Sequence, residues 1–223
     1  MTEAIKNSGI IPKKGKWIVF EGMDGCGKTT AIHEFEKFFK EHGEQNIVIL
    51  RGVGTGNFGE PIRTILMSGQ CNKLAHASAF ATALADCFHH IKTYLDKGYI
   101  VLSDRFIASF YAYNYQTNHD IGAEVLFTQF LTNPTVFDRE PDLELVMYSD
   151  VEEAKARMAA RSEEQTVIDK KPIEYFERIK CAYKQYAYAF DNQTHPIVLL
   201  HNHGTLDEFK YDLKDMFDTH VTD

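Results

Sequence analysis

A short apolar segment, a glycine-rich loop and a helix-patterned segment follow one another near the start of the chain. Residues 17–20 read Trp-Ile-Val-Phe, and residues 22–29 read Gly-Met-Asp-Gly-Cys-Gly-Lys-Thr. A loop of this kind between a strand and a helix surrounds phosphate oxygens with backbone N–H groups, and its lysine reaches the outer phosphates. The pattern predicts a nucleoside triphosphate site formed by Gly22, Met23, Asp24, Gly25, Cys26, Gly27, Lys28, Thr29 and Thr30. The hydroxyl of Thr29 is the group such loops offer to a magnesium ion.

Length and charge limit the class of protein. The chain has 223 residues, of which 44% are hydrophobic, and this is enough for one domain with a small lid. A formal charge of −8 argues against nucleic-acid or membrane partners, because both need a basic face. The cysteines are widely separated and suggest neither a metal site nor disulfides, so a cytoplasmic location is expected. They are Cys26, Cys71, Cys87 and Cys181.

Short apolar runs alternate with helix-periodic segments along the chain, as in a parallel sheet wrapped by helices. The candidate strands are rich in β-branched and aromatic residues and cover residues 17–21, 46–50, 99–103, 143–148 and 196–201. The expected fold is α/β, a three-layer, doubly wound, parallel five-stranded sheet.

Helices are indicated where apolar residues recur every three or four positions. These positions are Ile32, Phe35 and Phe39; then Leu74, Ala77, Phe80, Leu84, Phe88, Ile91 and Leu95; and finally Leu206, Phe209, Leu213 and Met216. Another helix is expected over residues 172–190, with Pro172 near its first turn. The polar residues before it are the best candidate for a lid, at about 157–171. Residues 1–16 are expected to form a flexible arm before a single domain of residues 17–223.

Asp104 and Arg105 lie where the third candidate strand ends. Ligands of open α/β sheets bind at the carboxyl ends of strands, so this pair is expected to meet the phosphate loop. An aspartate there is suited to hold magnesium, and the arginine offers a planar fork to phosphate oxygens. By itself an Asp-Arg pair is equally consistent with a surface ion pair.

The residues that follow make the chain similar to the thymidylate kinase family. Members have Asp-Arg-Tyr (or His), two residues, Ser, two residues and Ala-Tyr-Gln, and this chain keeps Asp104, Arg105, Ser109, Ala112 and Tyr113. Residues 20–30, 59–63 and 141–145 are similar too. The resemblance implies a P-loop NTPase fold with a lid that transfers the γ-phosphoryl of ATP to a deoxypyrimidine 5′-monophosphate, with Mg²⁺. The diphosphate would serve DNA precursor synthesis, and a homodimer is implied.

The resemblance also implies roles for individual residues. Arg63 and Arg105 match arginines that hold the acceptor phosphate, and Arg51 matches the arginine after the second strand. Asp24 matches a carboxylate near the acceptor sugar, and Tyr113 matches the tyrosine that crowds a 2′-hydroxyl. Ser109 and Asn114 match positions beside the base.

The lid is expected to supply a cation. One subgroup of the family has an arginine in the phosphate loop where this chain has Gly25, and in the other subgroup the lid provides it. Arg157 and Arg161 are four residues apart on one helix face and are the candidates. They are also consistent with a solvated face that pairs with Glu152, Glu153 or Glu163. The predicted catalytic residues are therefore Asp24, Lys28, Arg105, Arg157 and Arg161.

The chain departs from the family where the base is read. The family's Phe-Ala-Ala-Asp-Arg aligns with residues 83–87, Ala-Leu-Ala-Asp-Cys, so the stacking ring and the arginine that donates to the base are missing. Phe80 or Phe88 remains as a stacking ring, and Cys87 occupies the arginine position. The acceptor is then dTMP, dUMP or a modified deoxypyrimidine nucleotide, with dTMP first. A space filled by Tyr111 or Tyr115 would favour dUMP.

Other functions remain as alternatives. A deoxynucleoside kinase must deprotonate a 5′-hydroxyl, and Glu21 at the end of the first strand is the carboxylate available for that task. A nucleotide-binding protein without catalysis is the third possibility. The apolar stripe at residues 74–95 is either a dimer surface or ordinary packing on the sheet.

Overall fold

The computed structural model of the chain describes residues 15–116, 121–132, 137–160 and 166–222. Five parallel strands form one sheet in the order β2-β3-β1-β4-β5. The strands are β1 (Lys16–Gly22), β2 (Ile47–Leu50), β3 (Ile100–Asp104), β4 (Leu143–Tyr148) and β5 (Ile197–His201). Each predicted strand is confirmed to within one residue at either end. The central position of β1 makes the sheet doubly wound, as predicted.

Eight α-helices connect or flank the strands in the described residues. They are α1 (Lys28–Glu41), α2 (Gly56–Met67), α3 (Lys73–Leu95), α4 (Ile107–Phe110), α5 (Ile121–Thr132), α6 (Val151–Ala159), α7 (Ile173–Phe190) and α8 (Leu206–His220). A 3₁₀ turn, Gly52–Gly54, precedes α2, and a π-helical segment, Tyr111–Gln116, continues α4. Pro172 is the N-cap of α7 and lies just outside the helix.

The side chains of β1 alternate between two helical layers. Phe20 contacts Phe35 of α1 at a ring-centroid distance of 5.1 Å, whereas Trp17 contacts Phe88 of α3 at 5.8 Å. Trp17 and Phe20 are three positions apart in the strand, an odd offset, so they point to opposite faces and α1 and α3 lie on opposite sides of the sheet. Phe217 of α8 packs on Phe35 and extends the first layer. The three-layer prediction is confirmed.

The apolar stripes predicted for the helices are largely core. In α3 the stripe from Ala77 to Leu95 is buried within the protomer, and only Leu74 in the first turn is exposed, at 52%. The stripe therefore packs within the protomer, as the second of the two interpretations predicted. No helix in the described ranges has the length and apolar character to cross a membrane. The predicted arm up to residue 14 and lid residues 161–165 lie outside the described residues.

Candidate active site

The loop between β1 and α1 has a backbone suited to enclosing an anion. Gly25 and Gly27 have φ angles of 81° and 104°, which L side chains rarely adopt. A Cβ at Gly25 would lie 2.4 Å from the carbonyl oxygen of Ala154 on α6. Gly27 is the N-cap of α1 and makes no side-chain cap. The loop thus ends at a helix N-terminus whose N–H groups are available to phosphate oxygens.

Lys28 folds back over this loop. Its Nζ donates to the carbonyl oxygens of Gly22 at 3.0 Å and Met23 at 2.9 Å, and the residue is only 7% exposed. Met23 and Cys26 are fully buried beneath the loop. The Cys26 carbonyl accepts a hydrogen bond from Asn202 Nδ2 at 2.9 Å, which ties the loop to the segment after β5.

A cavity of about 620 Å³ begins at the phosphate loop and continues between α2, α3, α4 and α7. Most predicted site residues line it, namely Asp24, Gly25, Gly27, Lys28, Thr29, Thr30, Arg51, Arg63, Phe80, Asp104, Arg105, Ser109, Tyr113 and Arg157. Five predicted residues of the described chain are not in its lining, namely Gly22, Met23, Cys26, Cys87 and Asn114. Arg161 lies outside the described residues.

Arg105 forms the turn that joins β3 to α4, and its side chain contacts the phosphate loop. Its φ of 75° is the one positive value at a non-glycine residue in the described ranges, and such strain persists only where the surroundings fix it. Its Nη2 lies 2.5 Å from Asp24 Oδ1. Its Nη1 donates to the Gly22 carbonyl and to the Tyr183 hydroxyl, both at 2.9 Å. The guanidinium is therefore fixed at the junction between the loop and the cavity.

Glu21 stabilises the turn at Arg105 through hydrogen bonds to the residues that follow it. It is fully buried, and one carboxylate oxygen accepts the N–H groups of Phe106 at 2.6 Å and Ser109 at 3.1 Å. The other accepts the Ser109 hydroxyl at 2.6 Å. Burial, together with the nearby Glu144, raises the pKa of Glu21 to about 7. Because its oxygens are bound to the start of α4 and it does not line the cavity, Glu21 is poorly placed to deprotonate a bound 5′-hydroxyl.

Asp104 and Thr29 provide oxygen atoms suited to a magnesium ion. Asp104 Oδ1 is buried and has no hydrogen-bond partner among the described residues, and both side chains line the cavity. Within the same ranges no group of three or more His, Cys, Asp or Glu residues forms a preformed metal site. Magnesium commonly binds one or two protein oxygens together with phosphate oxygens and water, so these residues fit the ion.

Two arginines approach the cavity from the β2 side. The Cδ atoms of Arg63 and Arg51 lie 3.0 and 3.3 Å from the position that a Cβ would take at Gly54. The 3₁₀ turn thus lies between Arg51, which precedes it, and Arg63 of α2. Both side chains line the cavity, where they contribute positive charge opposite Arg105.

Arg157 of α6 reaches the phosphate loop. Its Nη1 lies 3.4 Å from the Gly25 carbonyl oxygen, and its Nη2 pairs with Glu153 at 3.0 Å. Both interpretations of its sequence position therefore have a structural counterpart, since the same side chain pairs on its own helix and lines the cavity.

Of the three α3 residues predicted to lie beside the base, only Phe80 lines the cavity. Phe80 lines the cavity, whereas Phe88 packs on Trp17 and Phe137 in the core. Cys87 lies 3.4 Å from the hydroxyl of Thr55 and is buried, and burial raises the pKa of its thiol to about 11. Cys87 therefore contacts the segment that follows Arg51 and does not line the cavity.

Tyr111 does not fill the space left at the base. Its ring packs on Tyr186 and Phe127 at 5.6 and 5.1 Å. Tyr111 is buried in the core. The side chain of Tyr115 lies outside the described residues.

Sequence reasoning missed Tyr183, Tyr175 and His76. Tyr183 is buried in α7, and its hydroxyl meets Arg105 and Ser109. A buried tyrosine hydroxyl needs a hydrogen-bond partner, which was the available signal. Tyr175 and His76 line the cavity, and burial raises the pKa of Tyr175 to about 12.

A phosphate loop, an Asp-Arg turn beside it and further arginines converge on one cavity at the carboxyl edge of a parallel sheet. This arrangement defines a P-loop nucleoside monophosphate kinase, an ATP-dependent enzyme. The model of the thymidylate kinase family matches residues 20–204. The chain belongs to the thymidylate kinase family.

Individual relatives agree with this result. Thymidylate kinase of Pelotomaculum thermopropionicum is 33% identical over 174 residues, which cover 76% of this chain and 79% of the relative. Thymidylate kinase of Mesoplasma florum is 31% identical over 173 residues, covering 76% of this chain and 80% of the relative. The crystal structure of thymidylate kinase from Ehrlichia chaffeensis has a similar fold, with a TM-score of 0.68, 23% identity and coverage of 92% and 98% of the two chains.

Proposed function

We propose that this chain transfers the γ-phosphoryl group of ATP to dTMP and, as a second acceptor, to dUMP, giving diphosphates for DNA precursor synthesis. The observation that carries the proposal is one continuous cavity that joins Lys28 of the phosphate loop to Arg105, Arg63 and Arg51. Lys28 is the cation that the donor phosphates need, and the arginines are the cations that a monophosphate acceptor needs.

Phosphoryl transfer requires that the protein position the two substrates and neutralise their negative charge. Phosphoryl transfer places negative charge on the oxygens around the transferred group, so fixed cations lower the barrier. In the proposal Lys28 binds the donor, Arg105 and Arg63 bind the acceptor phosphate, and Arg157 closes from α6. The acceptor oxygen is already anionic, so no general base is required.

Asp104 and Thr29 are proposed to hold Mg²⁺ with the ATP phosphates. The ion would offset phosphate charge and orient the β- and γ-phosphates. The buried, unpartnered Oδ1 of Asp104, among the described residues, supports this assignment.

Tyr113 is proposed to exclude ribonucleotides, and Phe80 to stack on the base. The Tyr113 ring lies 5.3 Å from the guanidinium carbon of Arg105, so a phosphate on Arg105 would bring its sugar beside the ring. Phe80 is 6% exposed and lines the opposite wall on α3.

We also propose a cytoplasmic homodimer. Sedimentation equilibrium of the full chain tests this, with a mass of twice 25.5 kDa expected. A monomer at micromolar concentration would contradict it.

The first experiment measures diphosphate formation from dTMP, dUMP, dCMP and dGMP with ATP and Mg²⁺, with thymidine as the nucleoside control. The expected order of kcat/KM is dTMP, then dUMP, then the others, with no product from thymidine. Product from thymidine would favour the deoxynucleoside kinase. ATP binding without product from any acceptor would favour a non-catalytic nucleotide-binding protein.

A further inference from the structure

His76 of α3 lies in the cavity wall, four residues before Phe80 on the same helix. Arg105 donates to the Ser109 hydroxyl at 3.2 Å, and the Tyr113 ring lies 5.3 Å from the Arg105 guanidinium carbon, so these three cavity-lining residues are neighbours. Asn114, the residue after Tyr113, meets His76, whose ring lies next to Phe80 at a centroid distance of 6.4 Å. A nucleotide whose phosphate binds Arg105 and whose base stacks on Phe80 therefore brings an edge of the base towards His76.

Asn114 orients the imidazole. The Nδ1 of His76 lies 2.7 Å from Oδ1 of Asn114, a fully buried residue. An amide oxygen only accepts hydrogen bonds, so Nδ1 carries the proton, and in a neutral imidazole Nε2 is then an acceptor. The Nδ2 of Asn114 is buried without a hydrogen-bond partner among the described residues, and Asn114 does not line the cavity, so it reaches a ligand only through His76.

An acceptor at Nε2 of His76 can distinguish between pyrimidine bases by their hydrogen-bonding patterns. Thymine and uracil carry a hydrogen on N3, whereas N3 of cytosine is itself an acceptor. An acceptor in the wall therefore gains a hydrogen bond from the first two bases and meets an unfavourable acceptor in the third. The arginine of the aligned family position is replaced by Cys87, which is buried against Thr55 and does not line the cavity.

We propose that His76, held by Asn114, accepts the N3–H of the acceptor base and so selects thymine and uracil nucleotides over cytosine nucleotides. The inference rests on the proposed phosphorylation of dTMP and dUMP and assigns their recognition to a residue pair. His76 determines specificity and takes no part in phosphoryl transfer.

The test compares kcat/KM for dTMP, dUMP and dCMP in the wild type and in the His76→Ala, His76→Gln and Asn114→Ala variants. His76→Ala is expected to lower kcat/KM for dTMP and dUMP about tenfold or more, mainly through KM, because one hydrogen bond to a buried group is lost. The value for dCMP should stay constant or rise, so the ratio of dTMP to dCMP falls at least about tenfold.

Two further variants make the result specific. His76→Gln keeps an acceptor oxygen and should retain part of the selectivity, while Asn114→Ala frees the imidazole and should lose part of it. His89→Ala changes an exposed histidine of the same helix that is outside the cavity lining, and it should match the wild type. ATP binding measured by calorimetry checks that each variant is folded.

The outcomes separate the inference from the function on which it rests. If the wild type phosphorylates dTMP and the ratio of dTMP to dCMP is unchanged in His76→Ala, the role of His76 is wrong and the kinase stands. If His76→Ala does not fold, the same ratio in His76→Gln and Asn114→Ala decides, and unchanged ratios in both overturn the inference. If the wild type phosphorylates none of the three nucleotides, the proposed function fails and the inference fails with it.

Discussion

The guanidinium of Arg105 lies 2.5 Å from the carboxylate of Asp24, a residue 81 positions earlier in the sequence. Asp24 belongs to the phosphate loop and Arg105 to the turn after β3, so their ion pair connects the two regions proposed to bind the donor and the acceptor. Arg105 also donates to the Gly22 carbonyl and to Tyr183. The position of the Arg105 guanidinium is therefore coupled to the conformation of the phosphate loop.

Replacement of Lys28 by alanine should abolish most of the activity. The variant loses the cation over the loop, and we expect kcat for dTMP to fall about 100-fold or more. Lys28 Nζ bonds to two loop carbonyls, so some loss of stability is expected, but the sheet should remain folded by circular dichroism. Lys37→Ala removes an exposed lysine of α1 and is the control. Equal rates in Lys28→Ala and Lys37→Ala would show that Lys28 does not act at the donor site.

The two roles of Arg157 are separable by a second substitution. If Arg157 acts on the transferred group, Arg157→Ala should lower kcat about 100-fold, whereas Glu153→Gln, which removes only its ion-pair partner, should change kcat less than threefold. Steady-state rates at saturating ATP and dTMP measure both. A similar effect of the two substitutions would indicate that the ion pair is what matters.

Tyr113 should control discrimination at the sugar. Tyr113→Ala opens space beside Arg105, and we expect the preference for dUMP over UMP, as a ratio of kcat/KM values, to fall about tenfold. Tyr188→Ala, at a position that is 79% exposed on α7, should keep the wild-type preference. An unaltered ratio in Tyr113→Ala would assign the discrimination to another residue.

Glu21 should make stability depend on pH. Its pKa is about 7 in the folded chain and 4.5 when unperturbed, so the folded state binds the extra proton between these values. The contribution of Glu21 to the free energy of unfolding is therefore greatest below about pH 4.5 and declines as the pH rises to about 7. The check is urea unfolding of the wild type and Glu21→Gln at several pH values. The difference between their pH slopes isolates Glu21, and parallel slopes would show that the folded-state pKa is not raised.

Much of the fold was accessible from the sequence because buried parallel strands are continuous apolar runs. All five strands lie within one residue of their predicted ends, and the phosphate loop follows β1 as expected. The π-helical segment at Tyr111–Gln116 was not predicted, since no local pattern distinguishes it from α-helix. Within this segment Tyr111 is buried in the core and Tyr113 lines the cavity.

The donor side of the site was better predicted than the base side. The phosphate loop depends on glycine and lysine at fixed spacing, and such local requirements are visible in a sequence. The contacts of His76 with Asn114, and of Cys87 with Thr55, join residues 38 and 32 positions apart. Contacts of this kind depend on how helices pack, so the alignment that placed Cys87 beside the base could not reveal that its thiol meets Thr55.

Gly25 has a consequence for how the two subgroups of the family are related. A Cβ at this position would lie 2.4 Å from the Ala154 carbonyl oxygen, so the loop and α6 pack too closely to leave room for a side chain. An arginine at position 25 cannot be acquired here by a single substitution, since α6, which carries Arg157, would have to move away. An evolutionary exchange between a loop arginine and a lid arginine would thus require coordinated changes in two segments, with each intermediate losing either packing or charge.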